Sequence, residues 1–294
     1  MIGNGWRTLI LGEHESLSLA DECIVIRDGA ELRSVPMSQI RDIVFTSCCG
    51  SVTIPLLVRL SEQGIGTVFC DTKRLPRCIL VGLNVNTETA GKLMDQMAWT
   101  ERKKKAVWNR IVSMKIGMQE SLLRRISSDG CDKLKAYRKR VCDGDAENME
   151  AIAARVYFAS MFGRKFVRFA EDDVNAALNY GYMVIKNSFA RIITVYGYST
   201  AIGIHHCSRQ NPYNFPCDLM EPFRPFVDEI IYANMERKLD FDYRKELISV
   251  TRKKCQYGEK NMTVADAMEC FTLDVCRAMK EPRIKLKGVQ FGQK

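Results

Sequence analysis

Apolar residues fall in short runs through the first 85 residues and at helical spacing through the rest of the chain. Trp6–Leu11, Cys23–Arg27 and Ile40–Phe45 are apolar or β-branched runs of about five residues, the length of a typical strand. Asp28-Gly29 sits between two such runs and is a hairpin-turn pair. Ile54–Gln63 departs from this pattern: Leu56, Leu57 and Leu60 share one face of a helix that Gly64 ends, and Ile65–Cys70 returns to strand. Residues 81–92 are rich in Gly, Asn and Thr and read as a linker. Beyond them the period is near 3.6. Trp99, Val107, Trp108, Ile111, Val112, Lys115 and Ile116 lie on one long helix. Asp143-Gly-Asp145 is a turn with a capping Asp before a helix that starts near Glu147. Asp172–Tyr196, Pro216–Met235 and Val264–Met279 complete the helical set.

The pattern predicts an α+β chain: a small, β-rich, sandwich-like domain over 1–85, a linker over 86–95 and a larger, mainly helical domain over 96–294. There is no apolar run near the ~20 residues that cross a bilayer, and the first residues lack the basic and apolar regions of a secretory signal. A soluble, cytoplasmic protein with no membrane partner is expected. The 12 cysteines change little, because none shows C-x-x-C spacing; zinc and disulfides give way to reduced, partly buried thiols.

Charge is more informative. The net charge is +9, yet residues 1–90 hold 8 Lys and Arg against 10 Asp and Glu. The excess lies further on, most densely over residues 101–140, with 13 basic against 4 acidic side chains. Arg102, Lys103, Lys104 and Lys105 form one run, and Arg138, Lys139 and Arg140 another; Arg164, Lys165 and Arg168 follow. A one-sided basic bias favours a polyanionic partner, nucleic acid or anionic lipid, although each run alone also suits a solvated helix face.

Three segments carry candidate chemistry. In Met149–Phe158, Glu150 shares a helix face with Ala153, Ala154 and Tyr157, a lone carboxylate on an otherwise apolar stripe. On its own it also suits a carboxylate paired with a nearby Arg. In Ala201–Arg209, His205 and His206 are two of the chain's three histidines, and as neighbours they point different ways. In Asn214–Asp228, Asp218 is a good helix N-cap and Glu221 follows three residues on. Together these segments supply two carboxylates and an imidazole, a set suited to Mg²⁺ or, with imidazole, Mn²⁺. No G-x-S-x-G is present, and Cys207 lacks a cysteine-protease context.

These segments, with Gly5-Trp6-Arg7-Thr8, Val68-Phe69-Cys70-Asp71, Lys115-Ile116 with Gln119, Asn175-Ala176 through Tyr180-Gly181-Tyr182, and Asp218-Leu-Met-Glu-Pro-Phe-Arg-Pro225, resemble the CRISPR-associated integrase family, the first Cas protein, in its short type II form. The resemblance runs along nearly the whole chain. Met118, where Asn often precedes Gln119, and the stretch Cys207–Cys217 depart from the family pattern. The resemblance implies that Glu150, His206 and Glu221 are the metal ligands and catalytic residues. Asp218, His205, Arg155 and Arg224 are expected to support them or meet substrate, and the basic runs to hold DNA. It implies insertion of short duplexes into a repeat array, a step of antiviral defence, in which a 3′-hydroxyl attacks a phosphodiester, with endonuclease activity on the side. The implied partners are double-stranded DNA, a second copy through the β-rich domain, a small ferredoxin-like second Cas protein in a heterohexamer, and other type II CRISPR proteins. A stand-alone structure-selective nuclease on the same site, or a non-catalytic DNA scaffold, are the rival readings. The basic tail Arg277–Lys294 is expected to be either mobile or partner-binding.

Overall fold

The computed structural model describes residue 5 and residues 7–13, 15–72, 76–82, 86–281 and 284–292, with the backbone alone at residue 76. Its chain forms two compact units, Met1–Met94 with Arg191–Ser199 and Asp95–Ala190 with Thr200–Lys294.

In the first unit the strands are β1 (Arg7–Leu11), β2 (Ser16–Ala20), β3 (Cys23–Asp28), β4 (Glu31–Pro36), β5 (Ile40–Phe45), β6 (Ser51–Val52), β7 (Gly66–Cys70) and β8 (Pro76–Leu80), with helix α1 (Ile54–Glu62) before β7. One sheet has the order β4-β3-β2-β6 and the other β1-β5-β7-β8. Leu17, Ile24 and Ile26 from the first sheet share one core with Leu11, Ile40 and Ile43 from the second and with Leu56 and Leu60 of α1. Each such apolar side chain contributes about 1.5–3 kcal/mol when fully buried. β4 has no apolar signature because it is an edge strand, almost wholly exposed and lined with Glu31 and Arg33. Trp6, expected to begin the first strand, lies outside the described residues.

The expected linker is not extended throughout. Helix α2 (Thr89–Met97) occupies most of it, carried by Ala90, Lys92, Leu93, Met94, Gln96 and Met97, good helix formers that outweigh Gly91; residues 83–85 lie outside the described residues. Residues 191–199, read from the sequence as part of the helical domain, group with the first unit, where Arg191 pairs with Asp42 at 3.0 Å.

The second unit contains α3 (Glu101–Arg125), α4 (Cys131–Arg140), α5 (Met149–Phe162), most of α6 (Asp173–Val195), α7 (Asn214–Met220), α8 (Arg224–Tyr232), α9 (Phe241–Ile248) and α10 (Val264–Lys280). A small antiparallel sheet, β10 (Lys260–Thr263), β9 (Lys254–Tyr257) and β11 (Val289–Phe291), was not foreseen. It places part of the tail, expected to be mobile or partner-binding, in a packed sheet. Phe291 is buried against Phe226 with ring centroids 4.8 Å apart, so this part of the tail is core; residues 282–283 and 293–294 lie outside the described residues.

The single helix expected over Pro216–Met235 is broken into α7, a 3-10 turn over Glu221–Phe223, and α8. Pro222 and Pro225 each lack an N–H and crowd the preceding turn, which accounts for the interruption. Phe223 anchors the turn in an aromatic cluster with Phe189 and Phe271. No helix among the described residues is long and apolar enough to cross a membrane.

Candidate active site in the helical unit

The functional side chains come from four elements, each fixed by an identifiable local cause. Glu150 lies in the first turn of α5, where the Asp145 carboxylate accepts the backbone N–H of Met149 at 2.9 Å and of Glu150 at 3.0 Å. Asp145 thus caps the helix, as its place in the turn suggests, although α5 begins at Met149 rather than Glu147. Glu221 opens the 3-10 turn held by Phe223. Lys115 sits on α3 in a buried stripe with Ile111, Val112, Gln119 and Leu122.

These three meet. The Lys115 ammonium lies 2.5 Å from Glu150 Oε1 and 2.5 Å from Glu221 Oε2, so the two carboxylate oxygens are no more than twice that distance apart. Glu221 is 2% exposed, and Arg224 donates from Nε and Nη2 to its Oε1 at 3.0 and 2.8 Å. Burial opposes ionisation of Glu221, but Arg224 and Lys115 outweigh it and pull its carboxyl below the usual range. Burial likewise opposes the charge on Lys115, and Glu221 and Glu150 more than restore it. Arg224 also lies over the Tyr182 ring at 4.5 Å, which fixes its fork.

His206 is set by Asp218, and here the structure corrects the sequence. Asp218 lies inside α7 and is not an N-cap. Its buried carboxylate instead accepts the backbone N–H groups of Ile204 at 2.5 Å, His205 at 3.1 Å and His206 at 3.0 Å, and contacts His206 Nδ1 at 2.7 Å. An ionised carboxylate only accepts, so Nδ1 carries the proton and Nε2 keeps its lone pair free. This hydrogen bond raises the His206 pKa against the effect of partial burial. The loop closes on Asp218 only because residue 203 is Gly: a Cβ there would meet the His206 carbonyl at 2.4 Å and Asp218 Oδ2 at 2.7 Å. His205 points elsewhere and stacks on Trp108, centroids 4.3 Å apart and planes parallel to within 1°.

A second buried cluster ties the supporting helices together. Tyr157 of α5 and Tyr182 of α6 donate to the two oxygens of Asp228 on α8 at 2.7 and 2.6 Å. Burial pushes the Asp228 carboxyl up to about 6, although both tyrosines resist the rise. Because the folded value lies above the unfolded one, the stability contributed by protonated Asp228 is complete below about pH 4 and is lost as pH rises through 6. Wild type should therefore lose about 2–3 kcal/mol relative to Asp228→Asn between pH 4 and pH 7. Urea unfolding of both proteins across that range checks this, and a pH-independent difference would refute it.

The remaining expected residues divide. Lys104 lines a cavity of about 660 Å³ together with His206, Ser208, Arg209 and Asn211. Arg102, Lys105, Lys139, Arg164 and Lys165 are exposed. Lys103 donates to the Lys280 carbonyl at 3.2 Å, Arg140 pairs with Glu147 at 2.7 Å, and the Arg138 guanidinium lies close against Gly117. Arg168 donates to Asn175 at 2.9 Å and Asn179 at 2.8 Å and lies over the Phe169 ring. Arg155, expected to support the ligands or meet substrate, is exposed on α5. Sequence reasoning assigned no role to Lys115, Trp108 or Arg209. The signal for Lys115 was present, since a lysine within an apolar helical stripe demands a buried acidic partner.

Two carboxylates and an oriented imidazole are donors of the right kind for Mg²⁺ or Mn²⁺. The buried Oε2 of Glu221 is in ion contact with the Lys115 ammonium and takes no other hydrogen bond. Among the described residues no three His, Cys, Asp or Glu side chains stand close enough to hold an ion as they are placed. The donors fit in kind, and the position between the two glutamates is taken by the ammonium.

A family description, CRISPR associated protein Cas1, matches residues 9–256. The CRISPR-associated endonuclease Cas1 of Neisseria meningitidis serogroup C (strain 8013) is 35% identical over 224 residues, which cover 76% of this chain and 74% of the relative. Among solved structures, a Cas6-RT-Cas1–Cas2 complex superposes on 99% of this chain with a TM-score of 0.73 at 17% identity, and this chain spans 36% of that longer one. A casposase bound to integration product gives a TM-score of 0.71 at 17% identity, over 96% of this chain and 92% of that one. At these identities the structural likeness is one of fold alone. The family match spans both units and all the site segments, and the chain belongs to the CRISPR-associated Cas1 family.

Proposed function

We propose that this protein is the integrase of CRISPR adaptation, a metal-dependent enzyme that joins the 3′-hydroxyl ends of short DNA duplexes to phosphodiesters of a repeat array and cleaves DNA as a side reaction. The observation that carries this reading is the convergence of Glu150 and Glu221 on one point in a largely buried site. His206, with Nε2 directed by Asp218, completes the donor set. Glu150, Glu221 and His206 would hold Mg²⁺ or Mn²⁺, which supplies Lewis-acid charge at the reacting phosphate. The chain's own residues do the rest. Asp218 holds the imidazole in one tautomer. Lys104 and Arg209, on the cavity that His206 also lines, provide charge for a DNA backbone. The exposed Arg102, Lys105, Arg164 and Lys165 add further positive charge, and contacts of this type position DNA without reading its sequence.

A related chain occurs in a Cas6-RT-Cas1–Cas2 complex, which supports a small second Cas protein as partner here. The β-rich unit is the proposed surface for a second copy of this chain. The relatives' name, endonuclease, and the casposase with its integration product support the two halves of the activity, cleavage and joining.

The test is strand joining. The protein is incubated with Mn²⁺, a labelled duplex bearing free 3′-hydroxyls and a repeat-containing target. The expected product is a covalent branched junction, absent with a chelator and with Glu150→Gln. Cleavage without joining would favour a stand-alone nuclease, and DNA binding without either reaction would leave only a scaffold.

A further inference from the structure

A lysine is an unusual companion for two carboxylates meant to bind a divalent cation. Lys115 is not at the rim: its side chain is 9% exposed, and that of Glu221 is 3% exposed. It reaches from α3 to both carboxylates at equal distance. A carboxylate pair this close and this buried repels itself unless a positive charge stands between its members. Arg224 does not fill that role for both, because it bonds Glu221 Oε1 on the other side of that carboxyl. Arg224 leaves Oε2 as the uncommitted oxygen of Glu221, and the ammonium touches that oxygen and Glu150 Oε1.

We propose that Lys115 is a tethered competitor of the divalent ion: its ammonium neutralises Glu150 and Glu221 in the metal-free enzyme and must withdraw before an ion can bridge them. This rests on the metal reading of the site given above. An ammonium and a divalent cation cannot share one position between two carboxylates. Lysine suits the part, since its charge sits on a flexible four-carbon stem with no fixed fork. The apparent ion affinity is then the intrinsic affinity reduced by the small fraction of molecules in which the ammonium has moved aside. The device keeps the carboxylates paired when no ion is present and sets the ion concentration at which the site loads.

The experiment is a Mn²⁺ titration of the DNA-free full chain, with free Mn²⁺ read by electron paramagnetic resonance and thermal unfolding followed in parallel. Lys115→Met removes the charge at nearly constant length, Lys115→Gln removes it while keeping a polar end, and Lys115→Arg keeps it. Both neutral variants should bind Mn²⁺ at least about tenfold more tightly than wild type. Their unfolding temperatures without metal should be lower, and their rise on saturation with Mn²⁺ larger. Lys115→Arg should remain as weak as wild type. Equal or weaker binding in whichever neutral variant folds overturns the proposal. Glu150→Gln separates the two ideas. If it loses Mn²⁺ binding while the neutral Lys115 variants gain none, the site stands and the competitor role falls. If Glu150→Gln binds like wild type, the metal reading itself has failed.

Discussion

Glu221→Gln should reduce strand joining at least on the order of 10³-fold and, separately, cost about 3 kcal/mol of folding stability. Both effects follow from one position. Glu221 is buried between two cations, Lys115 at 2.5 Å and Arg224 at 2.8 Å. Removing its charge leaves Arg224 without an ionic partner, and breaking a buried pair costs more than the pair contributes. The amide oxygen can still accept from Arg224, which keeps the loss near about 3 kcal/mol rather than above it. The catalytic loss has a different origin, the disappearance of a donor from the proposed ion site. Guanidinium denaturation measures the first effect, and joining assays at a temperature where the variant is folded measure the second. A folded variant that joins DNA at the wild-type rate would remove Glu221 from the chemistry. A variant with unchanged stability would mean the buried pairs are not formed.

The second large effect is expected at Asp218. Alanine there removes the acceptor of three backbone N–H groups and of His206 Nδ1. Each donor left without a partner in a buried place costs about 1–3 kcal/mol, and water can reach some of these because the His206 side chain is 39% exposed. A loss of about 3 kcal/mol is therefore expected. His206 also loses the partner that fixes its tautomer, a change that typically costs 10–100-fold in metal affinity. Calorimetric unfolding and the same Mn²⁺ titration read the two quantities. Asp218→Asn, which keeps an acceptor but cannot serve every donor, should fall between wild type and alanine in both. If alanine is tolerated with wild-type stability, the loop 204–206 is held by something other than this carboxylate.

Much of the architecture was legible because periodicity reports burial. The strands at Cys23–Asp28 and Ile40–Phe45 bury Ile24, Ile26, Ile40 and Ile43, so their pattern is strong. β4 buries almost nothing, and β9 and β11 are three or four residues long, too short to establish a period. The proline break after Met220 could be anticipated locally, but its consequence, the placing of Glu221 by Phe223, needs tertiary packing. The candidate site divided along the same line. Glu150, His206 and Glu221 were singled out through family likeness and residue type. The same likeness named Asp218 and Arg224, but not the Lys115 and Asp228 pairings, because Lys115 precedes Glu150 by 35 residues and Tyr157 precedes Asp228 by 71. No local pattern encodes pairings of that range. The local reading of Asp218 as an N-cap failed for a related reason, while the family likeness had it supporting the ligands. A carboxylate near the start of a helix suits capping, and only the folded loop shows that it serves amides 12 to 14 residues earlier.

Gly203 and Asp218 are mutually constrained. The glycine leaves the gap that the carboxylate fills, with less than 3 Å between its missing side chain and Asp218 Oδ2. A larger residue at 203 would also meet the His206 carbonyl at 2.4 Å, so a smaller group at 218 does not by itself admit one, and it abandons the imidazole. The glycine three positions before His206 is thus a steric record of the acid behind the histidine. In comparing chains of this kind, those that keep this loop and an acid at 218 are expected to keep glycine at 203.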